Sequence, residues 1–241
     1  MVSTLPSISR GARLRANANR TENISGLARG SLASVNVGRP RTAPWGTSTV
    51  TTSIWKHPVA GRVPVRGVNL EGDDQADRTV HGGPDKAVYA YAVDDYRFWR
   101  AELGRDLAPG SFGENFTIDG LDVSGAQIGE RWHIGTAIFE VSQPRVPCYK
   151  LGVRMDDPTF PRRFAAAERP GAYLRIVREG TVGVGDDVSV IYRPQHGLTA
   201  ALVARAYHTD RGLVSRLLEV PELSSSWHAW AHKVLEYANQ P

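Results

Sequence analysis

The chain carries a single cysteine, Cys148, within Val141-Ser142-Gln143-Pro144-Arg145-Val146-Pro147-Cys148-Tyr149-Lys150. Pro144 and Pro147 fix two φ angles, so the loop bearing the thiol is held to one shape, as a reactive group requires. Arg145 and Lys150 surround it with positive charge, which favours the thiolate. A thiolate is a nucleophile, and it is also the soft ligand that a redox-active heavy metal takes. On the residues alone, a functional Cys148 and a buried inert thiol are equally open readings.

Two further segments are unlike ordinary core or turn sequence. In Val80-His81-Gly82-Gly83-Pro84-Asp85-Lys86 two glycines let the backbone turn tightly and approach a ligand, with His81 as a donor beside them. Such a loop holds phosphate or another anion through its N–H groups, although a structural turn has the same composition. In Ser111-Phe112-Gly113-Glu114-Asn115-Phe116 a carboxylate and an amide sit beside a glycine at the mouth of a strand. They either read a polar ligand or tie down a barrel corner. No Ser-His-Asp order and no metal-type Cys/His spacing competes with these three segments.

The elements that must position them read mainly as strands. Gly30 to Val37 is a first strand, and Pro40, Pro44, Pro58 and Pro64 forbid a long helix after it. Ala87 to Tyr91 reads as a strand, with Asp94 or Asp95 capping a helix over Tyr96 to Leu103. Asn115 to Ile118 runs into the tight-turn dipeptide Asp119-Gly120, which predicts a hairpin. Arg131 to Ile134 and Ala137 to Ser142 are strands broken at Gly135, Thr159 to Glu168 is a short helix, and Ala172 to Val177 and Val188 to Tyr192 are strands. The spacing implies a closed or half-closed β-barrel. From Leu198 apolar residues recur at helical spacing in three short segments, around Leu202, Leu217 and Trp230, with Pro221 between the last two. The expected division is a tail over 1–28, a barrel over 29–195 and a small three-helix appendage over 196–241.

At 241 residues such a chain buries a substantial core without a staple. With one cysteine there is no intrachain disulfide, and a cytoplasmic setting is the default. No apolar run reaches the roughly 18 residues that would span a bilayer. The net charge of +4 is modest, and much of it lies in Arg10, Arg13, Arg15 and Arg20. These arginines are few and lack interleaved aromatics, so no nucleic-acid binding is expected.

Taken in order, Val68-Asn69-Leu70-Glu71-Gly72-Asp73, His81-Gly82-Gly83-Pro84-Asp85, Phe112-Gly113-Glu114-Asn115 and the Cys148 segment resemble the MOSC family, in its stand-alone YiiM-like branch with a C-terminal three-helix domain. The resemblance implies a β-barrel binding the pyranopterin molybdenum cofactor (molybdopterin), with Cys148 as ligand to molybdenum. It implies reduction of N-hydroxylated substrates such as N-hydroxylated purine bases, with electrons from a separate flavin or haem reductase. His81, Gly82 and Gly83 would approach the cofactor. Arg78 and Arg145 would pair with its anionic groups, and Asn115 would hydrogen-bond the pterin or position the loop. A non-catalytic carrier of the cofactor, or of a Cys148 persulfide, would use the same loop.

Overall fold

The structure, a computed structural model, describes residues 28–75 and 82–238. The expected tail therefore lies, except for Ala28, outside the described residues, as do Arg78 and His81. The chain first forms β1 (Arg29–Val37), a hairpin of β2 (Arg41–Trp45) and β3 (Ser48–Thr52), and the short strands β4 (His57–Pro58), β5 (Arg62–Arg66) and β6 (Asn69–Leu70). Next come β7 (Val88–Ala92), α1 (Val93–Leu103), β8 (Phe116–Asp119), β9 (Arg131–Ile134) and β10 (Ala137–Pro144). They are followed by α2 (Tyr149–Met155), α3 (Phe160–Ala166), β11 (Ala172–Arg178), β12 (Gly180–Gly183) and β13 (Asp187–Tyr192). Helices α4 (Ala200–His208), α5 (Val214–Leu217) and α6 (Ser225–Ala238) follow β13.

Seven strands pair in the order β13, β9, β10, β11, β7, β8, β1, and β1 returns to β13 through Arg29 to Ser31, which closes the barrel. Closure leaves no exposed sheet edge among these seven. Period-two alternation fills the interior with Leu32, Val88, Ile118, Trp132, Val141 and Val188, and Phe116 meets Phe139 edge-on at 5.3 Å. Helices α4 to α6 set Val203, Leu217, Trp227 and Ala231 into the same continuous core. This is the expected architecture of a barrel with a few helices and a C-terminal helical appendage.

A second core of Tyr91, Tyr96, Trp99, Phe112, Phe160 and Phe164 lies among α1, α2 and α3 outside the barrel. Trp99 stacks on Phe164 at 5.9 Å with a 4° interplanar angle. A buried ring of this kind removes roughly 150–250 Å² from water, about 4–6 kcal/mol of gross transfer free energy. Leu151 and Met155 of α2 belong to this cluster, so the segment following Cys148 rests on a rigid aromatic base.

Two local expectations are corrected, and two elements appear that none foresaw. Asp119-Gly120 does turn, with Gly120 at φ 76°, but it closes no hairpin: β8 pairs in parallel with β7 and antiparallel with β1. Helix α1 begins at Val93 behind Ala92, without a side-chain cap, because Asp95 is instead engaged by Arg169 and Ser124. The chain after Cys148 enters a helix, α2, and β12 is an additional strand pairing with β5.

Candidate functional site

Strand β10 ends at Pro144 and delivers the loop Arg145 to Cys148 against the start of α2. The loop forms one wall of an open pocket with about 610 Å³ of empty space, counting the part open to solvent. Cys148, Arg145 and Lys150 contribute to the lining from this loop, Lys86 from the turn before β7, Lys56 and Ser53 from the segment after β3, and Asn115, Tyr89 and Tyr173 from the barrel end.

Cys148 is a free, half-buried thiol. Arg145 is buried, donates to the Phe112 carbonyl and lies 5.0 Å from the Tyr89 ring centroid. Among the described residues no carboxylate is within ion-pair distance of it. A guanidinium keeps its charge under these conditions, so Arg145 is a permanent cation in a lining whose acidic member among the described residues is Asp74. The Ser53 hydroxyl, also buried in the lining, has no hydrogen-bond partner among the described residues.

Behind the lining runs a closed network. Asp73 accepts from the Gly38 N–H at 2.7 Å, through both carboxylate oxygens from the Lys56 ammonium, and from Asn115 Nδ2 at 2.9 Å. Asn115 Nδ2 also donates to Asn36 O, and its Oδ1 accepts the Tyr89 N–H. Burial pulls the Lys56 ammonium below the ordinary lysine range, against the opposing pull of Asp73. On the far side, Glu114 is fully buried and accepts from Tyr96 Oη, from the Gly110 and Phe112 N–H groups and from Thr117 Oγ1.

The structure thus brings Cys148, Arg145 and Asn115 together. Gly82 and Gly83 are not among the residues lining the pocket, although Gly83 takes φ 93°, the left-handed region that favours glycine. Their turn is fastened by Asp85, whose carbonyl accepts from Ser142 Oγ and whose carboxylate meets Arg175, and it presents Lys86 to the pocket. Sequence reasoning missed Lys56 and Ser53 as pocket residues, and Asp73 as the anchor of Lys56 behind the lining. Asp73 was only one letter of a motif, and Lys56 stands in a stretch without any.

The MOSC domain profile matches residues 77–189. Protein YflK of Bacillus subtilis is 36% identical over 202 residues, covering 83% of this chain and 91% of that protein. The crystal structure of YiiM from Geobacillus stearothermophilus superposes with a TM-score of 0.70 at 31% identity, over 85% of this chain and 98% of that one. A protein of Gibberella moniliformis named "Reductase" is 30% identical over 199 residues, which are 80% of this chain and 35% of that much longer protein. The chain belongs to the MOSC-domain family. Within it, sequence and structure place it beside the YiiM proteins.

No group of three or more His, Cys, Asp or Glu side chains able to hold a metal exists among the described residues. No helix among them is long and apolar enough to cross a membrane.

Proposed function

We propose that the chain is a molybdenum-cofactor oxidoreductase that reduces N-hydroxylated substrates, such as N-hydroxylated purine bases, with electrons from a separate flavin or haem reductase. The observation that carries this reading is the donor set: one half-buried thiol in a pocket lined by Arg145, Lys56, Lys86 and Lys150 against a single described acid, Asp74, with no described carboxylate in ion-pair distance of the buried Arg145 guanidinium. Such a pocket suits an anionic group that binds a soft metal. The donor set fits the pyranopterin cofactor, which when bound supplies the two-electron chemistry.

The chain's own residues do the rest. Cys148 provides the thiolate ligand, and the prolines before it keep that ligand in place. Arg145 neutralises negative charge on the bound group, and its contact with the Tyr89 ring sets its plane. The family resemblance assigns Arg78, His81, Gly82 and Gly83 to the same anion; of these, the described Gly82 and Gly83 stand outside the pocket lining and would act by shaping the turn that presents Lys86. Asn115 acts by position: its amide fastens β1, Asp73 and β7 and thereby holds the pocket floor. The name of the Gibberella relative is in keeping with reductive chemistry.

The test is molybdenum and pterin content per chain in protein purified from a cofactor-producing host, for the wild type and for Cys148→Ser. It is followed by reduction of an N-hydroxylated purine with viologen as electron donor. Stoichiometric metal that is lost in the variant, together with turnover, is the expected result. Metal held through Cys148 without turnover would make the protein a cofactor carrier. A wild type without cofactor, where a known molybdoenzyme loads fully, would end the proposal.

A further inference from the structure

We propose that the cationic rim of the Cys148 pocket, made by Arg39, Arg41, Lys150 and Arg154, is the docking surface for an acidic electron-transfer protein. This rests on the redox reading above, which needs a donor outside the chain. One cysteine cannot build an iron–sulfur cluster, and no metal-binding group exists among the described residues.

The charge is written into two segments that are far apart in sequence. No Asp or Glu occurs between Glu22 and Glu71, or between Glu140 and Asp156. The fold brings these two acid-free segments to the same rim. Arg41 stands opposite Thr52 in the β2–β3 hairpin, and Thr52 lines the pocket. At the other end of that hairpin the Trp45 ring lies 6.0 Å from Tyr149, the neighbour of Cys148. Lys150 also lines the pocket, and Arg154 follows it four residues on, one turn along α2. Like charges at this spacing work against a seven-residue helix, so local stability does not explain them.

None of the four cations has a carboxylate within ion-pair distance among the described residues. Elsewhere Arg62, Arg97, Arg131, Arg169, Arg193 and Arg205 each meet one, while cations such as Arg66, Arg100, Arg178 and Arg216 also stand without one among the described residues, so it is the clustering beside the pocket that sets these four apart. The Arg154 Nε is buried without a hydrogen-bond partner. Between the charges stand Trp45, half-buried, and Tyr149, 49% exposed. Arg, Tyr and Trp are the residue types that dominate binding at protein interfaces, and a rim on which four cations outnumber the one described acid of the lining, Asp74, steers a negative partner to it. A donor seated there faces the open side of the pocket that holds Cys148. In the Gibberella reductase the matching region is 35% of the chain, so there the module is joined covalently to further protein. A nucleic acid fits less well, because four charges neutralise few phosphates.

The experiment uses the full chain and a reduced FMN flavodoxin chosen for its acidic surface, with basic cytochrome c and an oligo-dT strand as comparison probes. Calorimetric titration reads binding without reference to turnover. The wild type is expected to bind flavodoxin at low salt, with affinity falling steeply as salt rises. Arg39→Glu/Arg41→Glu should weaken it at least tenfold, while Lys233→Glu on α6 leaves it unchanged. Viologen-driven turnover should be the same in all three. Flavodoxin bound no better than cytochrome c, binding indifferent to the double reversal, or tighter binding of oligo-dT through the same arginines would overturn the proposal. Reversal-sensitive flavodoxin binding by a protein that reduces nothing with viologen would keep the docking surface and discard the redox reading.

Discussion

Two buried polar centres meet at Phe112. On one side its N–H, with the Gly110 N–H and the Tyr96 and Thr117 hydroxyls, is directed at Glu114; on the other its carbonyl takes the Arg145 guanidinium. Glu114 accepts four hydrogen bonds and lies out of contact with solvent. Arg145 donates to the Phe112 carbonyl, lies against the Tyr89 and Phe164 rings and borders an open pocket. A polar centre with all its bonds closed has nothing left to offer a ligand and serves to fix shape. A buried charge left without its counter-charge costs stability and is retained where a ligand completes it.

The largest effect that tests this contrast is Glu114→Ala. It strips partners from four buried donors, each costing about 1–3 kcal/mol when orphaned, so a loss on the order of 3 kcal/mol or more is expected. Urea unfolding should show this as a lower midpoint at unchanged slope. A loss below about 1 kcal/mol would mean that water replaces the carboxylate and that the two centres do not differ. Titration adds a sign. Burial holds the Glu114 carboxyl above its ordinary value of 4.5, against the pull of its four donors. The folded state therefore binds the extra proton, so this contribution to stability is complete below the ordinary carboxyl pKa and declines as pH rises through the folded value. The stability gap between wild type and Glu114→Gln should narrow with rising pH in that window.

Arg145→Met should do far less to stability. The substitution gives up one hydrogen bond and the ring contact but removes an uncompensated buried cation, and such exchanges for a hydrophobic side chain are often neutral or favourable. A change of less than about 1 kcal/mol in urea unfolding is expected, together with loss of molybdenum from protein made in a cofactor-producing host. A cost as large as that of Glu114→Ala would make Arg145 part of the scaffold and erase the distinction.

The contrast also explains what was legible in the sequence. Strands β1, β9 and β10 and the C-terminal helices announce themselves by local periodicity and by turns such as Gly135. The Cys148 loop is legible because Pro144 and Pro147 rigidify it from within. Helix α2 was hidden: at seven residues, with Gly152 inside it, it is too short for a period to emerge, and Leu151 and Met155 hold it through tertiary contacts. Lys56 and Asp73 were hidden for a different reason. Their roles depend on partners 17 and 42 residues away, which only the closed barrel brings together. Asp119-Gly120 misled because its turn chemistry is right, while the next strand in space is β1, placed there by barrel closure.

Cys148→Ser is expected to have the smallest effect on folding and the sharpest on function. The thiol is half-buried, caps α2 without a side-chain hydrogen bond, and sits in extended backbone at φ −122°. Serine fits that conformation and is a preferred residue at a helix start, so unfolding free energy should change by less than about 0.5 kcal/mol or rise slightly. The same variant should lose bound molybdenum. Stability unchanged and metal lost is what a thiol kept for its chemistry predicts. A variant several kcal/mol less stable would instead return Cys148 to the inert packing residue that the sequence alone left open, and the pocket's cations would then need another purpose.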